Sequence, residues 1–268
     1  ICVITVTNNL TRPLQSLTHA VEKLGQGDLS VNLNNIATND EIGQLSQSFN
    51  KMTVELRKHV EELKKQYDAR DAVENELRIA RSIQSSLIPT TFPAFPEYEQ
   101  FDLYAINAPA SHVAGDFFDF FLLDSHRLFI VIADVSGKGI GPALLMAVSR
   151  THIRNLAAKG EGPAAILSQL NNLLIQEREQ PMFITVFVAE YNISDGQLCY
   201  ANGGHVIPFL LNAEGDVQHF GEPTGTIVGM LEDAQYEQEE ITLNQAETIV
   251  LYTDGILEAR LVDGGFFG

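Results

Sequence analysis

Residues Ile130–Gly141 read Ile-Val-Ile-Ala-Asp-Val-Ser-Gly-Lys-Gly-Ile-Gly, and an Ala/Leu-rich helical pattern runs on from Pro142 to Asn155. An apolar, β-branched run of this length is a buried strand, and it ends abruptly in a carboxylate. Asp134 is therefore carried to the open end of a sheet, where the glycines that follow let the backbone come close to whatever it holds. Two more carboxylates stand at comparable ends: Asp116 in Gly115-Asp116-Phe117-Phe118-Asp119, and Asp254 in Tyr252-Thr253-Asp254-Gly255. Three strand-end aspartates with glycine neighbours suit a hard, oxygen-ligated cation such as Mg²⁺ or Mn²⁺.

The 268 residues leave room for about two domains. With 45% hydrophobic and 19% charged residues the composition is globular. The formal net charge is -18, and after residue 80 there are 24 acidic residues against 8 basic ones. Such a half repels phosphate backbones, which argues against nucleic-acid binding. Cys2 and Cys199 are far apart and offer neither a disulfide framework nor a zinc spacing, as in a reducing cytoplasmic setting.

Leu10, Leu14, Leu17, Val21 and Leu24 recur at alternating four- and three-residue spacing, a coiled-coil seam with Pro13 in the first turn. Gly25, Gly27 and the polar run Asn32–Asn39 break it into a connector. A second seam follows Asp40-Glu41-Ile42-Gly43 through Ile42, Leu45, Phe49, Met52, Leu56 and Leu63. Two such helices cannot bury their stripes in one small monomer, and parallel dimerisation into a four-helix bundle solves this. Pro13, Gly27-Asp28-Leu29 and Asp40-Glu41-Ile42-Gly43 together resemble a HAMP domain over residues 8–64. That resemblance implies relay of a signal from a transmembrane helix, of which Ile1–Val6, within residues 1–7, is read as the end. The implied location is the cytoplasmic portion of an inner-membrane protein with an upstream transmembrane sensor.

Residues 65–97 read as a coiled-coil and regulatory linker. The seam continues through Val73, Leu77, Ala80 and Leu87, with His59, Gln66 and Arg70 as polar interruptions that weaken the coil. The helix is expected to end before Pro89. The stretch Glu76–Pro89 resembles the regulatory, dimerising helix ahead of the catalytic core in SpoIIE/RsbU-type phosphatases.

From residue 98 to 268, strands are expected near 101–107, 112–123, 127–134, 183–191, 197–202, 206–212 and 247–253, and helices near 140–157 and 163–177. Short turns such as Ser194-Asp195-Gly196 favour antiparallel sheets with helices outside. The ordered motifs Gly115–Asp119, Asp134–Gly139, Asn202-Gly203-Gly204-His205 and Tyr252–Ala259 are similar to those of PPM-type, metal-dependent serine/threonine phosphatases of the SpoIIE/RsbU branch. The fold class so implied is α+β: a dimeric HAMP bundle and coiled coil, then an αββα sandwich cut short at its C-terminus.

On that match a binuclear Mn²⁺ or Mg²⁺ site is held by Asp116, Asp134, the Val135 carbonyl and Asp254, the three aspartates being the catalytic set. The implied substrate is phosphoserine or phosphothreonine on a STAS-type anti-sigma-factor antagonist, and the implied assembly is a homodimer. The family has a further metal aspartate beyond the Thr-Asp-Gly motif. Asp263 follows too closely to supply it, so it is expected past Gly268. Asp119 reads first as a strand-end cap, His205 as a turn-shaping residue, Lys138 as solvated, and Phe117, Phe118, Phe120 and Phe121 as core.

Two other classes fit parts of the sequence. A histidine kinase would use His59 and read Asp134–Gly139 as a nucleotide loop, but no phosphoacceptor signature or asparagine-rich box accompanies them. A non-catalytic dimeric relay would need a degenerate site, against which the intact Asp116, Asp134 and Asp254 argue. No arginine closes a phosphate loop behind Cys199, which argues against a cysteine phosphatase.

Overall fold

The computed structural model describes residues 11–34, 36, 40–109, 113–176, 182–261 and 264–267. The chain divides into two compact units, Ile1–Asn75 and Glu76–Gly268. Ile1–Val6 and Leu10 lie outside the described residues, as does Asp263. Among the described residues no helix is long and apolar enough to cross a membrane.

The first unit opens with α1 (Arg12–Gly25), which carries Pro13 in its first turn, where the missing N–H costs no helical bond. It stops at Gln26, and Gly27 takes a φ of 92° that favours glycine. The long helix α2 (Glu41–Leu87) begins under Asp40, whose Oδ1 accepts the N–H groups of Ile42 and Gly43, both at 3.1 Å. It ends two residues before Pro89, as expected.

The connector is tied back to α2. The Leu33 N–H donates to Asn50 Oδ1 at 2.8 Å, and the Arg57 guanidinium donates to the Leu29 carbonyl. Only a small apolar cluster closes here: Ala20, Leu33 and Phe49, flanked by Leu17, Leu24, Val31 and Ile36. Leu14, Val21, Leu45, Met52, Leu56 and Leu63 stay 41–53% exposed, so one chain leaves much of its seams uncovered.

The second unit adds β1 (Phe117–Leu122), β2 (Arg127–Val135), α3 (Ile140–Ala158), α4 (Pro163–Gln176), β3 (Ile184–Asn192), β4 (Gln197–Gly203), β5 (Phe209–Leu211), β6 (Val217–His219), β7 (Glu239–Thr242), β8 (Thr248–Val250) and the short α5 (Asp254–Leu257). A five-stranded sheet runs β1-β2-β3-β4-β7 and a three-stranded one β6-β5-β8. Every strand pair is antiparallel, as the short turns led one to expect.

Period-two alternation sorts the large sheet into two faces. Phe129, Val131, Ala133 and Val135 of β2, with Val186 and Val188 of β3, pack under α3 and α4 against Met146, Ile153 and Leu170. The opposite face sets Phe187, Ala189, Leu198 and Tyr200 against Phe220, Ile249 and Leu251 of the smaller sheet and its approaches. The layers are therefore helix, sheet, sheet. Among the described residues no helix packs on the outside of the three-stranded sheet.

The expected strand at 101–107 does not form. Its alternation is real: Phe101, Leu103 and Ala105 pack with Phe120 and Leu128, while Asp102, Tyr104 and Ile106 face outward. The side chains thus follow strand periodicity in a segment that belongs to neither sheet. The strand expected at 112–123 begins only at Phe117, and that at 206–212 is cut to Phe209–Leu211 behind Pro208. β6 and β7, short and mostly exposed, were not anticipated.

Candidate metal centre

β1 and β2 bring the first two carboxylates together by register. Phe117 stands opposite Ala133, so the next pair outward is Asp116 and Asp134. Asp134 also lies opposite Thr185 of β3. Even-numbered β2 residues turn away from the helices, and Asp134 accordingly faces the inner side of the sandwich. Asp254 arrives from the other sheet, just beyond β8, as the first residue of α5.

The electrostatics follow from this convergence. The Asp134 carboxyl is pushed up to about 8, first by burial, then by its hydrogen bond to Asp116 and the negative charges of Asp116, Asp254 and Glu258. Asp254 is raised too, by burial and by Glu258 and Asp116, with Lys138 acting in the opposite sense. Lys138 itself is exposed, as expected.

Neighbouring residues fix Asp116. The Thr253 hydroxyl donates to its Oδ2 at 2.7 Å, and Asn107 Nδ2 donates to its backbone carbonyl at 3.1 Å. The Val135 side chain is buried in the core, which leaves its carbonyl as the group available to the site. Gly115 sits against that carbonyl so closely that a Cβ would stand 2.5 Å from the oxygen. Beyond it, Gly137 and Gly139 take φ values of 99° and 100° as the chain turns into α3.

The donor set fits a hard cation in its chemistry: carboxylate and carbonyl oxygens only, crowded with like charge. The side chains are close neighbours rather than a finished cage. Among the described residues no three His, Cys, Asp or Glu groups are arranged tightly enough to enclose an ion.

Other candidates fall outside this set. Asp119, three residues from Asp116, points to the opposite face, so it is not a strand-end cap. It lies 1% exposed under α3, with Arg150 Nη2 at 3.0 Å and Arg154 Nε at 3.2 Å from its Oδ2. These contacts are close enough for ion pairing but are not aligned as hydrogen bonds. Burial still raises the Asp119 carboxyl despite both cations. Arg154 also lies over the Phe121 ring, 4.2 Å from its centroid. Phe117 and Phe120 are core residues as expected.

His205 is buried and shapes a turn. Its N–H donates to Asn202 Oδ1 at 2.7 Å, and Asn202 Nδ2 donates to the carbonyls of Gly221 at 2.7 Å and His205 at 3.2 Å. Its Nδ1 meets Thr185 Oγ1 at 2.9 Å. Burial pulls its imidazole down to about 4, so the ring is neutral at pH 7. Cys199 is pushed the other way, up to about 11, by burial and then by Glu240 and Glu190, which disables it as a thiolate nucleophile.

Glu258, Thr253 and Asn107 were not singled out from the sequence as site residues. The first two lie within a quoted motif; Asn107 carries no local signal.

Residues 124–268 match the model of the Stage II sporulation protein E (SpoIIE) family, and residues 5–58 match that of the HAMP domain. The chain is 34% identical to phosphoserine phosphatase RsbU of Bacillus subtilis, over 72% of this chain and 56% of that protein. It is 31% identical to protein IcfG of Synechocystis, over 98% of this chain and 45% of that protein. The chain thus spans about half the length of the curated relatives it matches. The SiaA-PP2C domain of Pseudomonas aeruginosa shares its fold, with a TM-score of 0.62 and 24% identity over 75% of this chain and 79% of that one.

Proposed function

Because the chain belongs to the SpoIIE family and carries a HAMP domain ahead of the family segment, we propose that it is a signal-regulated, metal-dependent phosphatase acting on phosphoserine or phosphothreonine of a partner protein. One observation carries the reading: the β1–β2 register sets Asp116 beside Asp134, Asp254 arrives from the other sheet, and burial with these acidic neighbours pushes the Asp134 carboxyl up, a crowding that a divalent cation relieves. The name and identity of RsbU support phosphoserine as the substrate group. A small STAS-type protein is the partner we favour.

In this reading Asp116, Asp134, Asp254 and the Val135 carbonyl would hold a pair of Mn²⁺ or Mg²⁺ ions. Such a pair supplies water activation and charge stabilisation for a phosphate ester that hydrolyses extremely slowly unaided. The protein's share is placement. Thr253 and Asn107 hold Asp116, while Gly115 allows the Val135 carbonyl and Asp116 to lie close together. Neutral, buried His205 braces Thr185 beside Asp134 and takes no proton near pH 7.

We assign residues 8–64 to the HAMP domain, 65–97 to the linker and 98–268 to the phosphatase domain, with residues 1–7 as the end of a transmembrane helix. Exposed seam residues such as Leu45, Met52 and Leu56 support a homodimer through HAMP and coiled coil. Control by a membrane sensor, with the phosphatase on the cytoplasmic side, follows from that arrangement.

The test is phosphate release from a phosphoserine STAS-type protein, with and without Mn²⁺, alongside Asp134→Asn. Release that requires Mn²⁺ and disappears in Asp134→Asn is expected. No release together with no Mn²⁺ binding points instead to a non-catalytic relay.

A further inference from the structure

On α2 around residue 84, Ser82, Ile83, Ser85 and Ser86 are exposed, yet Gln84 is 8% exposed. A buried carboxamide is costly unless both its ends are paired. Both are: Nε2 donates to the Ala114 carbonyl at 2.7 Å, and Oε1 accepts the Ala114 N–H at 3.0 Å. The fork imitates the peptide of a neighbouring strand, and it does so just before β1, where the chain has left any ladder. Glutamate lacks the donor, asparagine is one methylene short, and leucine lacks both groups.

What Ala114 leads to gives the contact its meaning. Gly115 follows, seated against the Val135 carbonyl with no room for a Cβ, and Asp116 comes next, hydrogen-bonded through Thr253 and Asn107. The helix end is itself anchored, since Ile88 packs against the main core cluster. Ala114–Asp116 is therefore a short irregular strip fixed at one end by α2 and at the other by the carboxylate site.

We propose that Gln84 is a positioning residue for that site: its two-way grip on Ala114 sets where Asp116 stands relative to Asp134 and the Val135 carbonyl. The inference rests on the phosphatase reading and gives the end of α2 a specific hold on the chain that carries a ligand.

The experiment compares the protein with Gln84→Leu, the isosteric Gln84→Glu and the exposed control Ser82→Ala. Mn²⁺ affinity is measured by calorimetry, hydrogen exchange at the Ala114–Asp116 amides in the metal-free protein, and phosphoserine hydrolysis across Mn²⁺ concentrations. Both Gln84 variants are expected to lose roughly 10- to 100-fold in Mn²⁺ affinity and to exchange faster at those amides. Their deficit should appear as a higher Mn²⁺ requirement, with kcat largely restored at saturation, while Ser82→Ala matches the parent. If Gln84→Leu fails to fold, the isosteric Gln84→Glu decides. Unchanged Mn²⁺ affinity in folded Gln84 variants of an active enzyme overturns this inference alone. Weakened Mn²⁺ binding in variants of a protein that hydrolyses no phosphoserine or phosphothreonine overturns the phosphatase reading alone.

Discussion

The two faces of the β1–β2 ribbon each bury a carboxylate, and each solves the problem differently. On the helix face, Asp119 lies under α3 between Arg150 and Arg154. On the inner face, Asp134 meets Asp116, with Asp254 and Glu258 adding more negative charge. Burial raises both carboxyls, but only Asp119 has cationic neighbours to work against it. The sheet is one scaffold, and α3 supplies charge balance to one side alone. Asp119 has its counter-charges within the fold; on the reading proposed above, Asp134 takes its counter-charge from a bound cation.

The sharpest way to break that comparison is to replace each carboxyl in turn and measure metal-free stability. Asp119→Ala leaves two guanidiniums beneath the helix without their partner, and a loss of about 3–5 kcal/mol is expected by denaturant unfolding. Asp134→Asn exchanges a carboxyl that burial and its acidic neighbours keep largely protonated at pH 7 for a neutral carboxamide, and should leave metal-free stability at pH 7 about equal. Mn²⁺ binding should sort the other way, retained in folded Asp119→Ala and lost in Asp134→Asn. A comparable loss of stability in both variants would end the distinction between the faces.

A smaller effect tests whether the inner face holds a cation of its own. His205 is the candidate, since the charge of Asp116 favours its protonated form. Burial nonetheless takes it from an unfolded value near 6.5 to about 4 in the folded protein. The sign follows: above pH 6.5 the ring is neutral in both states and contributes no pH dependence. As pH falls from about 6.5 to about 4, the unfolded chain takes up a proton that the folded chain refuses, and stability drops. The loss attributable to His205 should approach about 3 kcal/mol at the bottom of that window. It is read as the difference between the parent and His205→Gln, so that carboxylate titrations common to both cancel. A parent that gains stability relative to His205→Gln on acidification would show an ionised ring playing the arginines' part on the inner face.

Much of this contrast was written in the chain. Asp116 opens an apolar run behind Gly115, Asp134 stands at the end of one just ahead of Gly137, Asp254 follows one ahead of Gly255, and the alternation across Arg127–Val135 sorts one face from the other. The same period shows that Asp116 and Asp119, three residues apart, cannot share a face of an extended chain. That count, rather than proximity in sequence, separates the site residue from the structural one. What stayed hidden depends on backbone placement. Gln84 reaches Ala114 across 30 positions, and Asn107 holds Asp116 from a segment whose apolar alternation imitates a strand. Residues 101–107 show that alternation reports which side chains are covered, while a strand also needs a ladder partner. β6 and β7 escaped for the opposite reason: they pair in a sheet but bury too little to leave an apolar pattern.

The smallest effect concerns how the two sheets are stitched at the inner face. Thr253 enters with β8 and Asp116 precedes β1, so the 2.7 Å bond from the hydroxyl to Oδ2 crosses between sheets. Thr253→Val keeps the branched shape and removes the donor. Asp116 then loses its restraint from the smaller sheet but keeps the carbonyl contact to Asn107, so the carboxylate should become looser without being displaced. A drop of about 10-fold in Mn²⁺ affinity is expected, worth about 1.4 kcal/mol, with Thr253→Ser close to the parent. Metal-free stability should fall by no more than about 1.5 kcal/mol, because one hydrogen bond to a carboxylate is lost. If valine matches threonine in Mn²⁺ affinity, the inner face is organised by the metal after it binds. If valine is as damaging as Asp134→Asn, Thr253 holds more than Asp116, and the contrast with Asp119 then rests on a wider hydrogen-bonded set than the carboxylates alone.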